Sequence, residues 1–192
     1  ESDLFFDWYL PLFLNTKKIS KIKFKAKKIL SKIYKKLYFK NSHFVHRDYH
    51  ASNLMKLDKG IGVIDTQDSL VGNPAYDLVS LIDDVRIKTS LKLKKHVFQY
   101  YLTSASRIYR NKAKEFLQDF NILSVQRSLK ILGIFARLFV RDKKKQYLKL
   151  IPYTWHLLEL RLKDKKFYEL RLILNNTISS KIRKKIISNE NK

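Results

Sequence analysis

Apolar residues recur every three or four positions over most of this chain, which is the spacing of one buried face of an α-helix. The clearest case is the segment 17–40, whose opposite face is rich in lysine. Its apolar positions are Ile19, Ile22, Ala26, Ile29, Ile33 and Leu37. The same periodicity predicts helices over 1–14, from about residue 75, and over 88–107, 111–120, 124–140, 144–161 and 165–187. Because 124–140 is apolar around most of its circumference, we expect it to be the central buried helix.

A different pattern of apolar residues occurs between residues 53 and 65. Two short apolar segments, 53–57 and 61–65, flank the turn sequence Asp58-Lys-Gly60, which is typical of a β-hairpin. Antiparallel strands return the chain to its starting level, so we expect Asn53 and Asp65 to lie at the same open end. The predicted fold class is therefore α+β and predominantly α-helical, with one short hairpin.

The hairpin follows the run His46-Arg-Asp-Tyr-His-Ala-Ser-Asn53. An Asp, an Asn five positions later and a second Asp after a hairpin are the residue types that phosphoryl transfer from ATP requires. Asp48 is the candidate catalytic base, since a fixed carboxylate can accept the proton of an acceptor hydroxyl. Asn53 and Asp65 are the candidate Mg²⁺ ligands, since Mg²⁺ prefers oxygen ligands completed by substrate phosphates.

Enzymes of this type also cover the nucleotide with a glycine-rich loop. The chain has four glycines, at positions 60, 62, 72 and 133, and none of them forms such a loop. We therefore expect residues 1–187 to be the C-terminal, catalytic lobe of a protein-kinase-like fold, with a frayed tail over 188–192. The N-terminal nucleotide lobe of the same parent chain is an expected partner, and the chain alone is expected to be inactive.

Composition limits which kinds of acceptor and which cellular location we expect. Lysine and arginine total 41 against 17 acidic residues, a net charge of +24, and the lysines are spread along the whole chain. A strongly basic lobe favours a neutral or anionic acceptor, and the even spread makes nucleic acid or an anionic membrane an unexpected partner. The chain has no cysteine and no apolar run as long as a membrane span, so we expect a cytoplasmic location.

These motifs resemble the aminoglycoside phosphotransferase and choline kinase superfamily. The resemblance is carried by residues 46–55, 62–68 and 76–81. Residues 3–9 and 126–138 are most similar to the anomeric kinases of N-acetylmuramate and N-acetylglucosamine, which act in cell-wall recycling.

The resemblance implies roles for individual residues. Asp48 matches the catalytic base, and Asn53 and Asp65 match the magnesium ligands. His46 and Asp77 match structural residues that brace the catalytic loop.

Four further positions complete the comparison. His50 and Asp68 are candidate residues for lining the acceptor site. Thr66 and Asn73 depart from the family pattern, where an aromatic residue and an Asp are usual. We expect these two departures to tune the site without abolishing its chemistry.

The resemblance implies a small-molecule kinase that uses ATP and Mg²⁺ and transfers the γ-phosphate to a sugar hydroxyl. The anomeric hydroxyl of N-acetylmuramate or N-acetylglucosamine is the expected acceptor. Three alternatives stay open. One is a kinase of choline, homoserine or an aminoglycoside, and another is a non-catalytic module that binds RNA, DNA or anionic lipid through the basic helix of 17–40. The third is a non-catalytic remnant of a kinase.

Overall fold

The computed structural model describes residues 1–184, and the expected tail over 188–192 lies outside the described residues. It is predominantly helical, as the sequence predicted, and it has two small sheets where one hairpin was expected. The α-helices are α1 Thr16–Tyr34, α2 Tyr76–Ile82, α3 Leu91–Ser104, α4 Arg107–Asn111, α5 Ala113–Val140, α6 Ile151–Arg161, α7 Tyr168–Thr177 and α8 Ser180–Lys184. Shorter helical turns cover Phe5–Tyr9, Leu10–Leu12, Ala51–Asn53, Lys145–Leu150 and Lys165–Phe167. The strands are β1 His43–Val45, β2 Leu54–Lys56, β3 Ile61–Val63 and β4 Leu70–Gly72.

The chain divides into two compact units. One unit is formed by Glu1–Lys35 together with the chain from Val125 onward, and the other by Lys36–Ser124. In the first unit, Phe5, Tyr9 and Trp155 form an aromatic cluster in which the Trp155 indole N–H donates to the Tyr9 hydroxyl at 2.8 Å. Trp155 is therefore a core residue, and its one polar atom is satisfied inside the core.

The second unit holds both sheets. β1 pairs with β4 in antiparallel register, with His43 opposite Gly72. β2 pairs with β3, with Leu54 opposite Val63. The turn between β2 and β3 contains Gly60 at φ +92°, a conformation that glycine adopts without steric cost. The buried core of this unit comes mainly from α2, α5 and the residues between them, including Val79, Ile82, Phe116 and Phe120.

Helix α1 begins where the sequence predicts but ends earlier. The Asn15 side chain caps its start by accepting from the Lys18 N–H at 3.0 Å. The prediction that this helix runs to residue 40 is wrong, because the last helical residue is Tyr34. Further along, the N–H groups of Tyr38 and Phe39 donate to the Asp119 carboxylate at 2.8 and 2.9 Å, so they are not available to a helical ladder.

Helix α5 is longer than the sequence predicts. Two helices were expected over 111–120 and 124–140, but one continuous helix runs from Ala113 to Val140. The intervening residues contain no proline or glycine, and Ile122 and Leu123 are buried, so packing maintains the helix. The expected buried character of 124–140 is confirmed at Leu129, Leu132 and Ala136, which have no exposed surface.

Two further predicted helices are interrupted, whereas α2 and α3 are continuous where helices were expected from about residue 75 and over 88–107. The expected helix over 144–161 is a 3₁₀ turn followed by α6. The described part of the one over 165–187 is a 3₁₀ turn followed by α7 and α8, and residues 185–187 lie outside the described residues. Between α7 and α8, Ile178 adopts an extended conformation and its side chain is fully buried. No helix within residues 1–184 is long and apolar enough to cross a membrane.

Candidate active site

Asp77 holds the backbone of the loop that carries the candidate base. It lies in the first turn of α2, and its two carboxylate oxygens accept from the N–H groups of His46 at 2.8 Å and Arg47 at 3.0 Å. Hydrogen bonds from backbone N–H groups to a carboxylate are charge-assisted and stronger than neutral ones. One side chain therefore fixes the entry to the loop, which is the bracing position that the resemblance implied for Asp77.

Arg47 occupies an unusual backbone conformation for its residue type. Its φ is +73°, in the left-handed region that costs a residue with a β-carbon about 1–3 kcal/mol. Three hydrogen bonds stabilise Arg47 in this conformation. The Arg47 N–H is bound by Asp77, its carbonyl accepts from the Ser80 hydroxyl at 3.1 Å, and its guanidinium donates to the Asp68 carbonyl at 3.2 Å.

His46 connects the same loop to the end of the hairpin. Its side chain is buried, and its Nε2 lies 2.9 Å from the carbonyl oxygen of Ile64. Because a carbonyl only accepts, this contact requires the proton on Nε2. Ile64 immediately precedes Asp65, so His46 braces the backbone next to that residue.

Asn53 and Asp65 come together at the open end of the β2–β3 hairpin. The Asn53 Nδ2 donates to the carbonyl of Asp48 at 3.0 Å and lies 3.5 Å from an oxygen of Asp65. The Ile64 N–H donates to the Asn53 carbonyl at 3.1 Å, which continues the strand pairing up to this point. Asp65 has φ +68°, a left-handed conformation that Asp tolerates better than most residues.

The donor set of these two residues fits Mg²⁺. Within residues 1–184, no group of three or more His, Cys, Asp or Glu side chains is arranged to hold a metal ion. Mg²⁺ does not need such a group, because it is commonly bound by one or two protein oxygens and completes its octahedron with phosphate and water. One amide oxygen and one carboxylate, of which Asn53 is buried and Asp65 exposed, meet that requirement.

Three further residues were predicted for the site: Asp48, His50 and Asp68. Asp48 is half-buried, and its carbonyl accepts from the N–H of His50 at 2.9 Å as well as from Asn53. His50 is 6% exposed, and its ring is enclosed within the loop. Asp68 is exposed, and the contact that it makes with this loop is through its main-chain carbonyl to Arg47.

A buried polar network that the sequence did not reveal lies behind the loop. Asn73 donates to the Phe39 carbonyl at 2.9 Å and to Asp119 at 2.8 Å, while its own side-chain oxygen accepts from Ala75 N–H at 3.0 Å. Asp119 has no exposed surface and also binds the N–H groups of Tyr38 and Phe39. Asn73 was noted only as a departure from a pattern, because its partner is 46 positions away and no local signal identifies it.

Ser80 was also missed, although the sequence contained a signal for it. Ser80 follows Asp77 by three positions on α2, so both side chains lie on one helix face. Together they bind the N–H and the carbonyl of Arg47.

The first unit contains a cavity that does not include these residues. It has a volume of about 420 Å³ and is lined mainly by polar side chains, among them Glu1, Asp3, Lys27 and Tyr34. The Lys27 ammonium and the Asp3 carboxylate in this lining are paired at 3.1 Å. None of the predicted catalytic or metal-binding residues lines it.

Comparisons with known proteins identify the family of this chain. A family model described as the phosphotransferase enzyme family matches residues 19–116, which is just over half of the chain and includes every predicted site residue. This chain belongs to the phosphotransferase enzyme family.

Three relatives of this chain are named N-acetylmuramate/N-acetylglucosamine kinase. The relative from Caulobacter vibrioides is 35% identical over 133 residues, a match that covers 67% of this chain and 36% of that protein. The one from Pseudomonas aeruginosa is 33% identical over 162 residues, covering 83% and 48%. The one from Neisseria meningitidis is 40% identical over 112 residues, covering 57% and 34%. The chain thus spans about a third to a half of the length of the relatives that it matches.

Proposed function

We propose that this chain carries the base and the metal ligands of an ATP- and Mg²⁺-dependent sugar kinase. The observation that carries the proposal is the approach of Asn53 and Asp65 to 3.5 Å at one end of the hairpin, beside a loop fixed by Asp77. Membership of the phosphotransferase enzyme family supports the class of reaction. The relatives named as kinases of N-acetylmuramate and N-acetylglucosamine support these two sugars as acceptors.

Asp48 acts as the catalytic base in this proposal. Its carboxylate accepts the proton of the attacking sugar hydroxyl, which we take to be the anomeric one. As the hydroxyl oxygen bonds to the γ-phosphorus, the bond from that phosphorus to the bridging oxygen of the β-phosphate breaks and ADP leaves. Hydrogen bonds from Asn53 and from the His50 N–H to the Asp48 carbonyl fix the position of this residue. His46 and Asp77 serve as positioning residues, since they act on the loop backbone and on Ile64.

Asn53 and Asp65 would hold Mg²⁺ through their side-chain oxygens, and the bound ion would neutralise charge on the ATP phosphates. The hydrogen bond from Asn53 Nδ2 to Asp48 leaves the amide oxygen of Asn53 available for this role. It also couples the position of the base to that of the metal ligand. His50 and Asp68 remain candidate contacts for the acceptor.

The rest of the ATP site belongs, in this proposal, to an N-terminal nucleotide lobe of the parent protein. Such a lobe supplies a glycine-rich loop and a lysine for the phosphates. We therefore expect residues 1–192 alone to transfer little or no phosphate and the longer parent protein to be active.

The acceptor is tested by Mg-ATP-dependent phosphate transfer catalysed by the parent protein. We expect transfer to N-acetylmuramate and N-acetylglucosamine and not to choline, homoserine or an aminoglycoside. Preferred transfer to one of the latter three would keep the kinase assignment and reject the sugar.

The metal site is tested by the Asp65→Ala variant of the parent protein. Removing a Mg²⁺ ligand is expected to lower kcat by at least about a hundredfold, since catalysis of this kind depends on charge stabilisation. Asp65 is exposed, but its backbone is left-handed and Ala tolerates that conformation less well than Asp, so the free energy of unfolding should fall by about 1 kcal/mol while the fold is retained. Unchanged turnover in this variant would reject Asp65 as a metal ligand.

A further inference from the structure

Helix α1 has a strongly one-sided charge. It contains eight lysines and no Asp or Glu. Two of the lysines are neutralised, Lys23 by Asp7 and Lys27 by Asp3. The other six are exposed and form no ion pair within residues 1–184: Lys17, Lys18, Lys21, Lys25, Lys28 and Lys32.

These six lysines, which we call the α1 lysine stripe, share one face. At 100° per residue they fall within a sector of about 100°, and at 1.5 Å per residue they extend over about 22 Å. The opposite face is occupied, since Ala26, Leu30 and Ile33 are buried and α1 packs against α7. The apolar side of α1 is therefore used by the fold, and only the basic side is available to a partner.

Lysine richness of the whole chain does not account for the stripe. Helix α7 also lies at the surface, and it contains one Glu, one Arg and no lysine. In the stripe, like charges recur three and four positions apart, an arrangement that destabilises a helix. A surface of negative charge placed against this face would relieve that repulsion.

An exposed aromatic ring borders the stripe. Phe24 is 63% exposed, and the Lys28 ammonium lies 4.4 Å from the centre of its ring. A cluster of lysines on an amphipathic helix is typical of segments that bind anionic lipid headgroups, and an exposed aromatic ring suits the headgroup layer.

We propose that the α1 lysine stripe docks this protein on an anionic phospholipid surface. Lysine ammonium groups act as point charges and suit a diffuse array of lipid phosphates, and the ring of Phe24 enters the headgroup layer. Helix α1 contains no Arg, Asn or Gln, the side chains that bind nucleic-acid phosphates and bases in fixed geometry, so lipid is favoured over RNA or DNA. This inference does not depend on the proposed kinase activity. It revises the expectation from the even spread of lysine that an anionic membrane is not a partner.

The proposal is tested by co-sedimentation of the full chain with lipid vesicles. We expect binding to vesicles of phosphatidylglycerol mixed equally with phosphatidylcholine at about 50 mM salt, and its loss at about 500 mM. Vesicles of phosphatidylcholine alone should not bind.

Two matched variants separate the stripe from total charge. The stripe variant carries Lys17→Gln, Lys21→Gln, Lys28→Gln and Lys32→Gln. The control variant removes the same charge from four exposed lysines elsewhere: Lys92→Gln, Lys95→Gln, Lys114→Gln and Lys163→Gln. The stripe variant should lose at least about a hundredfold in vesicle partitioning, and the control less than about fivefold. Circular dichroism should show the same helix content in both.

A third variant tests the aromatic ring. Phe24→Ser leaves the charge unchanged and should weaken vesicle binding about threefold to tenfold. Three results would overturn the proposal: no vesicle binding at low salt, equal losses in the stripe and control variants, or stripe-dependent binding to duplex RNA without binding to vesicles.

Discussion

At the scale of single residues, the candidate site depends on a few side chains that act on the backbone. Asp77 binds the N–H groups of His46 and Arg47, and Ser80 binds the carbonyl of Arg47. Arg47 keeps its left-handed conformation because these contacts surround it. The position of the loop is therefore fixed by side chains of α2 as well as by the loop itself.

Replacing Asp77 by Ala removes one acceptor from each of two backbone N–H groups. We expect the free energy of unfolding to fall by about 2–4 kcal/mol, the cost of leaving partly buried donors without partners. Urea denaturation measures this loss. The control is Asp58→Ala in the exposed hairpin turn, where a change below about 0.5 kcal/mol is expected. Equal midpoints for the two variants would contradict the role given to Asp77.

The Asn73–Asp119 contact gives a physical reason for Asn at position 73, where the family pattern led us to expect Asp. Both residues are buried and lie 2.8 Å apart, so an Asp at position 73 would place two carboxylates together. We expect Asn73→Asp to destabilise the protein by about 2–4 kcal/mol. The double variant Asn73→Asp/Asp119→Asn restores one donor and should recover part of the loss. No recovery in a thermal denaturation series would show that the pair is not coupled.

The site residues differed in how far the sequence could predict them. Asp48, Asn53 and Asp65 were found because their types and spacing express the chemistry directly, and whether they perform it stays a prediction. Ser80 could have been found from its spacing to Asp77 on α2, whereas Arg47 and Asp119 act through backbone geometry or through contacts distant in sequence. Neither kind of contact leaves a local pattern that a single sequence displays.

At the scale of elements, the residue types of the hairpin turn predicted the structure better than apolar periodicity predicted the ends of helices. The sequence Asp58-Lys-Gly60 lies where the chain reverses between β2 and β3. Helix ends were predicted poorly, since the end of α1 and the continuity of α5 depend on Asp119 and on burial of Ile122 and Leu123. Periodicity identifies a helix face, but tertiary contacts decide where the helix ends.

Gly133 in α5 is expected to resist substitution despite its helical position. Alanine usually stabilises a helix by about 0.8–1 kcal/mol relative to glycine. At this site, however, a β-carbon would lie 2.3 Å from the backbone carbon of Leu4, which cannot move as a flexible side chain would. Gly133→Ala should therefore lower stability by about 1–3 kcal/mol. In guanidinium unfolding, Lys114→Ala on an exposed face of α5 should change little; a stabilised Gly133→Ala protein would disprove the close approach.

At the scale of the whole molecule, the predominance of helix followed from the apolar spacing, whereas the division into two units did not. The first unit combines the first 35 residues with the end of the chain, a contact between distant segments that no local pattern records. Its core also buries tyrosines, which makes the stability of the protein sensitive to alkaline pH.

Burial raises the pKa of Tyr9 to about 12 and that of Tyr34 to about 12, from an ordinary value of 10.0. Their contribution to stability is fully present below about pH 10 and is lost as the pH rises toward 12, because the unfolded chain releases these protons first. Each pKa unit corresponds to about 1.4 kcal/mol.

The test compares denaturation of the unsubstituted protein and of the Tyr9→Phe/Tyr34→Phe variant from pH 8 to pH 12. Lysine titration is common to both proteins, so the difference between the curves isolates the tyrosines. We expect the unsubstituted protein to lose stability more steeply above about pH 10. Parallel curves would contradict the burial of these hydroxyl groups.

The central claim is that Asp48 serves as the base for phosphate transfer to a sugar. The most direct measurement is the rate of Mg-ATP-dependent phosphorylation of N-acetylmuramate by the parent protein, by its Asp48→Asn variant and by a control Asp58→Asn variant. Loss of a general base predicts a fall in kcat of at least about a hundredfold for Asp48→Asn, with Asp58→Asn unchanged. Equal rates in all three proteins would contradict the account.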